Sequence, residues 1–237
     1  MIEKALKYIV GLKNPDIREI GGQTYSDKTL YRVNHNPKAE PIEFSTLSSL
    51  CDYIRTHYDE RGKVFVHVVS PLKVQVYSVL DEDRTREHLV NVVGQVPSFD
   101  FGTFMDHEKF CINLQSKFIN TPERALLLKF AGTVEAGTIA EYGDDGVTQK
   151  ATVKTGITSK QEALVPSPIA LTAYRTFIEV EQPIIEYIFR MKQGMNGGVQ
   201  CALFEADGGA WRIDAMEKIK DYLKVELALE DDIVILY

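Results

Sequence analysis

The sequence has no apolar run long enough to cross a membrane and no export signal. Its longest β-branched stretch, residues 64–69, is far shorter than the roughly 20 apolar residues that a spanning helix needs. The first residues, MIEKALKYIVGLKN, are charged and amphipathic and have no small-residue cleavage site. We therefore expect a cytoplasmic protein without a membrane partner.

Cysteine and histidine are too sparse and too scattered to suggest a disulfide framework or a metal centre. Cys51, Cys111 and Cys201 are odd in number and form no CxxC, which favours buried thiols in a reducing compartment. The five histidines form no HExxH and have no cysteine at ligand spacing. GxSxG, GxxxxGK[ST] and GxGxxG are also absent. We predict no catalytic residue, no metal and no cofactor.

Positive charge is not clustered along the chain. The formal net charge is −7 and the pI is near 5.3, with the basic residues scattered. Because binding to a phosphate backbone rests on clustered Lys and Arg, this composition argues against nonspecific nucleic-acid binding. A local basic groove that forms only in the folded chain stays open as an alternative.

The 237 residues carry both helical and strand periodicity in mixed order. Helical spacing predicts helices over residues 2–13, 46–58, 106–119, 122–131 and 215–228. Alternation predicts a meander over 63–96, a hairpin around Asp145-Gly146, and strands over 174–183, 186–192, 199–206 and 231–237. Since short turns rather than crossover helices join most strands, we predict an α+β fold. It has largely antiparallel sheets built from hairpins and meanders, packed with about four to five helices.

A domain boundary is predicted near residues 132–137. Residues 1–131 then form a helix–sheet–helix part. Residues 138–237 form a hairpin-rich sheet part with a C-terminal helix and strand. A single continuous domain is the alternative.

The stretch FEADGGAWRIDAMEKIKDYL, residues 204–223, raises the question of a phosphate loop. CALFEA and WRI both fit strands, and Asp214 with Glu217 resembles a capping box. A helix that starts at Asp214 begins too late for its amides to line the two glycines. We therefore predict a hairpin turn at Gly208-Gly209, with Trp211 in a core or an interface.

Acidic residues concentrate in the last third of the chain, at Glu179, Glu181, Glu186, Glu205 and Asp207. If residues 174–183 form a strand, alternation places Arg175, Phe177, Glu179 and Glu181 on one face. Two neighbouring carboxylates could hold a divalent cation. Equally, Arg175 could pair with them on a solvated face, and we favour that interpretation.

Four segments resemble a family of uncharacterised bacteriophage and prophage proteins of the YfdQ type. They are FGTFMDHEKFCINLQSKFI (101–119), DDGVTQKATVKTGI (144–157), VPSPIALTAYRTFIEVEQP (165–183) and ALFEADGGAWRIDAMEKIKDYL (202–223). The resemblance implies a small protein of the host bacterial cytoplasm, encoded in temperate-phage early regions. It supplies no catalytic residues.

Our first functional hypothesis is a non-enzymatic, self-associating phage accessory protein in a replication, recombination or counter-defence context. It would form a homo-oligomer and bind a host or phage protein, because six aromatic residues, a type that interfaces favour, lie between Tyr174 and Trp211. The candidate ligand or interface residues are Arg175, Phe177, Glu179, Glu181, Glu205, Asp207, Trp211 and Arg212.

Two alternatives remain. A metal-dependent enzyme acting on nucleic acid or nucleotides would use Glu179, Glu181, Glu205 or Asp207. A binding protein for signalling nucleotides would place Arg175, Arg190 or Arg212 beside aromatic rings, since phosphates need cations and bases need stacking.

Overall fold

The computed structural model of the chain describes residues 2–11, 15–29, 38–57, 59, 62–82, 84–140, 150–154, 160–194 and 197–237. The chain divides into two compact units, Met1–Ala39 and Glu40–Tyr237. The boundary predicted at 132–137 lies within the second unit and stays a prediction. In the described part of the chain, no helix is long and apolar enough to cross a membrane.

The first unit contains a helix and a hairpin. Helix α1 spans Ile2–Gly11, as its amphipathic spacing predicts. Strands β1 (Ile17–Ile20) and β2 (Gln23–Ser26) pair antiparallel around Gly21-Gly22, two glycines with positive φ. The sequence analysis did not predict this hairpin.

The second unit begins with a five-stranded mixed sheet, which we call the first sheet. The predicted meander is confirmed as β4 (Val64–Ser70), β5 (Lys73–Ser78) and β6 (His88–Val93). Strand β3 (Ile42–Phe44) pairs parallel to β6, and β14 (Ile233–Leu236) pairs parallel to β4. The strand order is β14-β4-β5-β6-β3.

Two helices cover one face of the first sheet. They are α2 (Leu47–Thr56) and α5 (Trp211–Glu226). Alternate valines of the meander point at these helices and are excluded from water, which follows from the period-two pattern. The buried helix stripes complete this core with Leu47, Leu50, Cys51, Ile54, Ile219, Leu223 and Leu227.

A second sheet carries the other core. Its antiparallel strands are β11 (Ile169–Thr172), β12 (Ile184–Gln193), β13 (Val199–Glu205) and β7 (Met105–Asp106), in that order. Helices α3 (His107–Lys117) and α4 (Pro122–Thr133) pack on it. Phe110, Leu114 and Phe118, predicted at steps of four, are buried against it.

The third sheet follows α4 directly. Strands β8 (Val134–Ala140), β9 (Lys150–Lys154) and β10 (Lys160–Leu164) pair antiparallel in the order β10-β9-β8. The β8–β9 pairing confirms the predicted hairpin arms, while Asp145-Gly146 lies outside the described residues. Five helices with largely antiparallel sheets confirm the predicted α+β class.

Candidate functional site

Residues 174–183 form a loop around a buried glutamine, so the predicted strand is wrong. The Gln182 side-chain oxygen accepts from the amides of Arg175 (2.8 Å) and Thr176 (3.1 Å). Its side-chain nitrogen donates to the carbonyls of Thr176 (3.3 Å), Phe177 (2.9 Å) and Val180 (3.3 Å). Because one side chain satisfies backbone groups that a strand would offer to a neighbour, the chain curls instead of extending.

The predicted shared face of Arg175, Phe177, Glu179 and Glu181 therefore does not exist. Phe177 is 2% exposed in the core of the first sheet, while its neighbour Ile178 is 72% exposed in the loop. The favoured interpretation had placed Phe177 on a solvated face, so the observed burial of Phe177 and exposure of Ile178 are the reverse of what alternation predicted.

Glu179 and Glu181 each have a structural partner. The Glu179 carboxylate accepts from the amides of Leu47 (2.8 Å) and Ser48 (3.4 Å) and so caps α2. Glu181 lies 3.2 Å from the ammonium of Lys218. Neither contributes to a shared cation site with the other.

Helix α5 starts directly after the two glycines, which corrects the predicted hairpin turn and the predicted start at Asp214. The Asp207 carboxylate accepts from the amides of Gly209 (3.0 Å) and Trp211 (3.0 Å). Gly208 and Gly209 have positive φ of 65° and 86°. The first amide of this helix, that of Trp211, is thus occupied by the chain's own carboxylate, and the next two amides donate to the carbonyls of Gly209 and Ala210.

Arg175 is the centre of a cluster that joins the loop, α5 and β13. Its guanidinium carbon lies 4.4 Å from the centre of the Phe101 ring and 4.0 Å from that of Trp211. The guanidinium also forms an ion pair with Glu205, and both side chains are mostly buried. Arg212 lies over Trp211 at 4.9 Å and 4.0 Å from the Glu205 carboxylate.

Two buried donors next to Arg175 lack an acceptor among the described residues. They are the Tyr187 hydroxyl and the Trp211 indole N–H. Tyr187 is fully buried and stacks on Phe101 with ring centres 5.2 Å apart. Burial raises the pKa of Tyr187 to about 12, although the nearby Arg175 acts to lower it. Both donors are therefore neutral groups that could donate to an acceptor-rich ligand.

A cleft of about 220 Å³ opens beside this cluster. Two cationic side chains line it, Arg175 and Lys117, together with the rings of Phe99, Phe101 and Trp211. The Lys117 ammonium donates to the Ser98 carbonyl, and no carboxylate of the described residues pairs with it. The cleft thus combines aromatic walls with one cation that has no acidic partner there.

Of the eight predicted candidates, the structure brings together Arg175, Glu205, Asp207, Trp211 and Arg212. Phe177, Glu179 and Glu181 lie elsewhere, as described above. Phe99, Phe101, Lys117 and Tyr187 were not among the predicted candidates. The first three lie at least 58 residues before Arg175 in the chain, and Tyr187 occupies a strand position that no motif marks. No short-range spacing could have identified them.

The described residues offer little for catalysis. No group of three or more His, Cys, Asp and Glu side chains among them could hold a metal ion. On α3, the Cys111 sulfur lies 3.7 Å from His107 Nε2, but burial raises the pKa of this thiol and so opposes the reactive thiolate.

Comparison with protein-family models, curated proteins and solved structures gives no match for this chain.

Proposed function

We propose that this chain is a non-enzymatic binding protein that holds a small anionic ligand in the cleft beside Arg175. The observation that carries this proposal is the placement of Lys117 and Arg175 in one aromatic-walled cleft. Cations attract a phosphate or carboxylate, and aromatic rings pack against the rest of the ligand. Trp211 also lines the cleft, and its indole N–H adds a hydrogen-bond donor for the ligand.

The two cations have different parts in this proposal. Arg175 is already neutralised by Glu205 and enclosed by two rings, so it orders the aromatic walls. Within the described part of the chain, the Lys117 ammonium donates only to a backbone carbonyl, and an ammonium has three donors. Lys117 therefore supplies the charge that the ligand's anion meets.

The volume of the cleft restricts the ligand. At about 220 Å³ it is below the roughly 300–1,000 Å³ typical of drug-sized ligands. A phosphate or carboxylate on one small ring or short apolar body fits this size.

We extend the proposal with the resemblance to YfdQ-type phage proteins. In that setting the chain is an accessory protein of the host cytoplasm that self-associates and binds a host or phage partner. Exposed apolar strand residues support the self-association, among them Val93, Ile184 and Val234.

The alternative of a metal-dependent enzyme on nucleic acid or nucleotides has weaker support. Its four carboxylates are engaged by helix amides, by Lys218 and by Arg175. Labelled DNA and cyclic nucleotides incubated with Mg²⁺ or Mn²⁺ distinguish the two. Turnover in this assay would favour the enzyme and contradict our proposal.

Thermal unfolding with a panel of inorganic phosphate, benzoate and nucleoside monophosphates tests the binding proposal. A ligand at 100 times its Kd stabilises a protein by about 2.7 kcal/mol, which raises Tm by several degrees. We expect at least one panel member to do so with the wild-type chain. Lys117→Gln should remove the shift, whereas Lys109→Gln, at an exposed position of the same helix, should keep it. No shift with any panel member would contradict the proposal.

A further inference from the structure

The first sheet has a face that neither helix covers. Its outward side chains form two cross-strand rows. The first row contains Val234, Phe65, Tyr77 and His88, and the second contains Leu236, His67, Gln75, Asn91 and Glu43. Beyond them lie Val69 and Val93, and these two valines together with Val234 and Leu236 are each 38–49% exposed. These four side chains give the face an exposed apolar part.

Four polar side chains of this face are hydrogen bonded to one another. The Tyr77 hydroxyl donates to Gln75 (3.0 Å), the Gln75 side-chain amide donates to Asn91 (3.4 Å), and the Asn91 amide donates to Glu43 (2.8 Å). Tyr77 also stacks on His88 with ring centres 4.8 Å apart. The face can therefore lose its water without leaving these groups unsatisfied, and that is a requirement for a protein interface.

The charge of this face differs from that of the whole chain. Lys73 and Glu43 are the formally charged strand residues on it, and Arg86 lies over the Phe65 ring at 4.8 Å. The chain as a whole carries −7. Two copies that meet through this face therefore do not bring their acidic surfaces together.

We infer that a second copy of this chain packs against this face, sheet on sheet. The inference rests on the self-association in the proposed function and names the surface that performs it.

A single-stranded nucleic acid fits this face less well than a second copy does, because two cations make no continuous basic surface and the side-chain amides that could recognise bases are already hydrogen bonded. A strand spacing of about 4.8 Å and a rise of about 3.3 Å per residue give the face roughly 400 Å². Stable interfaces use about 800 Å² per partner, so the dimer is weak.

Sedimentation equilibrium of the whole chain from about 1 to about 200 μM tests this inference. We expect a concentration-dependent dimer for the wild type. Val69→Asp places a charge on the exposed face and should weaken the dimer by at least about tenfold. Ile184→Asp is the matched control, because Ile184 is an exposed apolar strand residue of the second sheet. Circular dichroism of both variants should match the wild type.

Each other outcome has a separate meaning. If Val69→Asp dimerises like the wild type and Ile184→Asp does not, the proposed self-association holds but our assignment of the surface is wrong. A strict monomer over the whole concentration range contradicts both the proposed self-association and the assigned surface. If a short single-stranded oligonucleotide binds the wild type and Val69→Asp abolishes that binding while the dimer is unaffected, the face is a nucleic-acid surface and the inference is overturned.

Discussion

Gln182 and Arg175 occupy the two ends of the same loop and differ in how fully their surroundings are hydrogen bonded. The Gln182 amide makes five hydrogen bonds to the backbone of this loop. Arg175 has one carboxylate and two rings, and the donors of Tyr187 and Trp211 next to it lack an acceptor among the described residues. A satisfied buried group fixes the backbone, whereas unsatisfied donors are costly unless a ligand supplies the acceptor. We therefore give Gln182 a structural role and, under the proposed function, Arg175 a role in ligand binding.

The largest effect is expected for Gln182→Ala. This change leaves several backbone groups of a buried loop unsatisfied, so the free energy of unfolding should fall by about 3 kcal/mol. Urea unfolding measures it. Gln115→Ala, which removes an exposed amide on α3, is the control and should cost far less. A loss below about 1 kcal/mol for Gln182→Ala would contradict the structural role of this glutamine.

Gly209→Ala should have the next largest effect, about 1–2 kcal/mol of lost unfolding free energy. The backbone at Gly209 has a φ of 86°, and a Cβ there would overlap the guanidinium of Arg212. Gly198→Ala is the control, since its added Cβ meets open space and no positive φ is required. Equal stability losses in the two variants would show that the Asp207-Gly-Gly turn does not need its glycine.

Arg175→Lys should affect binding more than folding. Lysine keeps the charge opposite Glu205 but lacks the flat guanidinium that contacts both rings. We expect the Kd for the panel member that binds to rise about tenfold, or 1.4 kcal/mol. Calorimetric titration gives the Kd, and urea unfolding gives a stability loss smaller than that of Gln182→Ala. If Arg175→Lys left the Kd unchanged and lowered the free energy of unfolding more than Gln182→Ala does, the roles given to the two ends of the loop would be wrong.

Tyr187→Phe should have the smallest effect at neutral pH, because it removes an O–H that has no acceptor among the described residues. At high pH the free energies of unfolding of the wild type and of Tyr187→Phe should diverge. Burial raises the Tyr187 pKa from 10.0 to about 12, so the neutral phenol stabilises the fold fully below pH 10 and loses that contribution as the pH rises toward 12.

The phenylalanine variant lacks this titration and should gain stability relative to the wild type above pH 10. Urea unfolding at several alkaline pH values measures the difference in the free energy of unfolding between the two proteins. The same pH dependence in both chains would contradict the assigned burial of Tyr187.

The parts of the fold that were predictable from sequence have local patterns. Alternating valines specify the meander, and steps of four specify α2 and α3, because a single element determines each pattern. The loop at residues 174–183 also alternates, but Gln182 overrides that pattern through contacts that spacing does not encode. The parallel pairings of β3 and β14 join distant parts of the chain and leave no local trace.

The residues of the candidate site were also predictable only where a local sequence pattern marks them. Glu205, Asp207, Trp211 and Arg212 were predictable as candidates because they carry charge or an aromatic ring near the Gly-Gly turn, whereas Arg175 was selected from the alternation of residues 174–183. Lys117 and Phe101 were not, since only the packing of α3 and the loop after β6 brings them to Arg175. The start of α5 was misplaced because Trp-Arg-Ile fits a strand as well as a helix, and the capping carboxylate of Asp207 decides between them.

The most direct test of the binding site uses the indole N–H of Trp211, the single tryptophan of the chain. Trp211 lines the cleft and its indole N–H has no acceptor among the described residues, so the NMR signal of this N–H should move when an anion binds in the cleft. In a titration with inorganic phosphate, benzoate and nucleoside monophosphates, we predict a saturable shift of the indole resonance with at least one of them. Lys117→Gln should abolish that shift. An indole resonance that stays unchanged with every panel member would contradict ligand binding at this site.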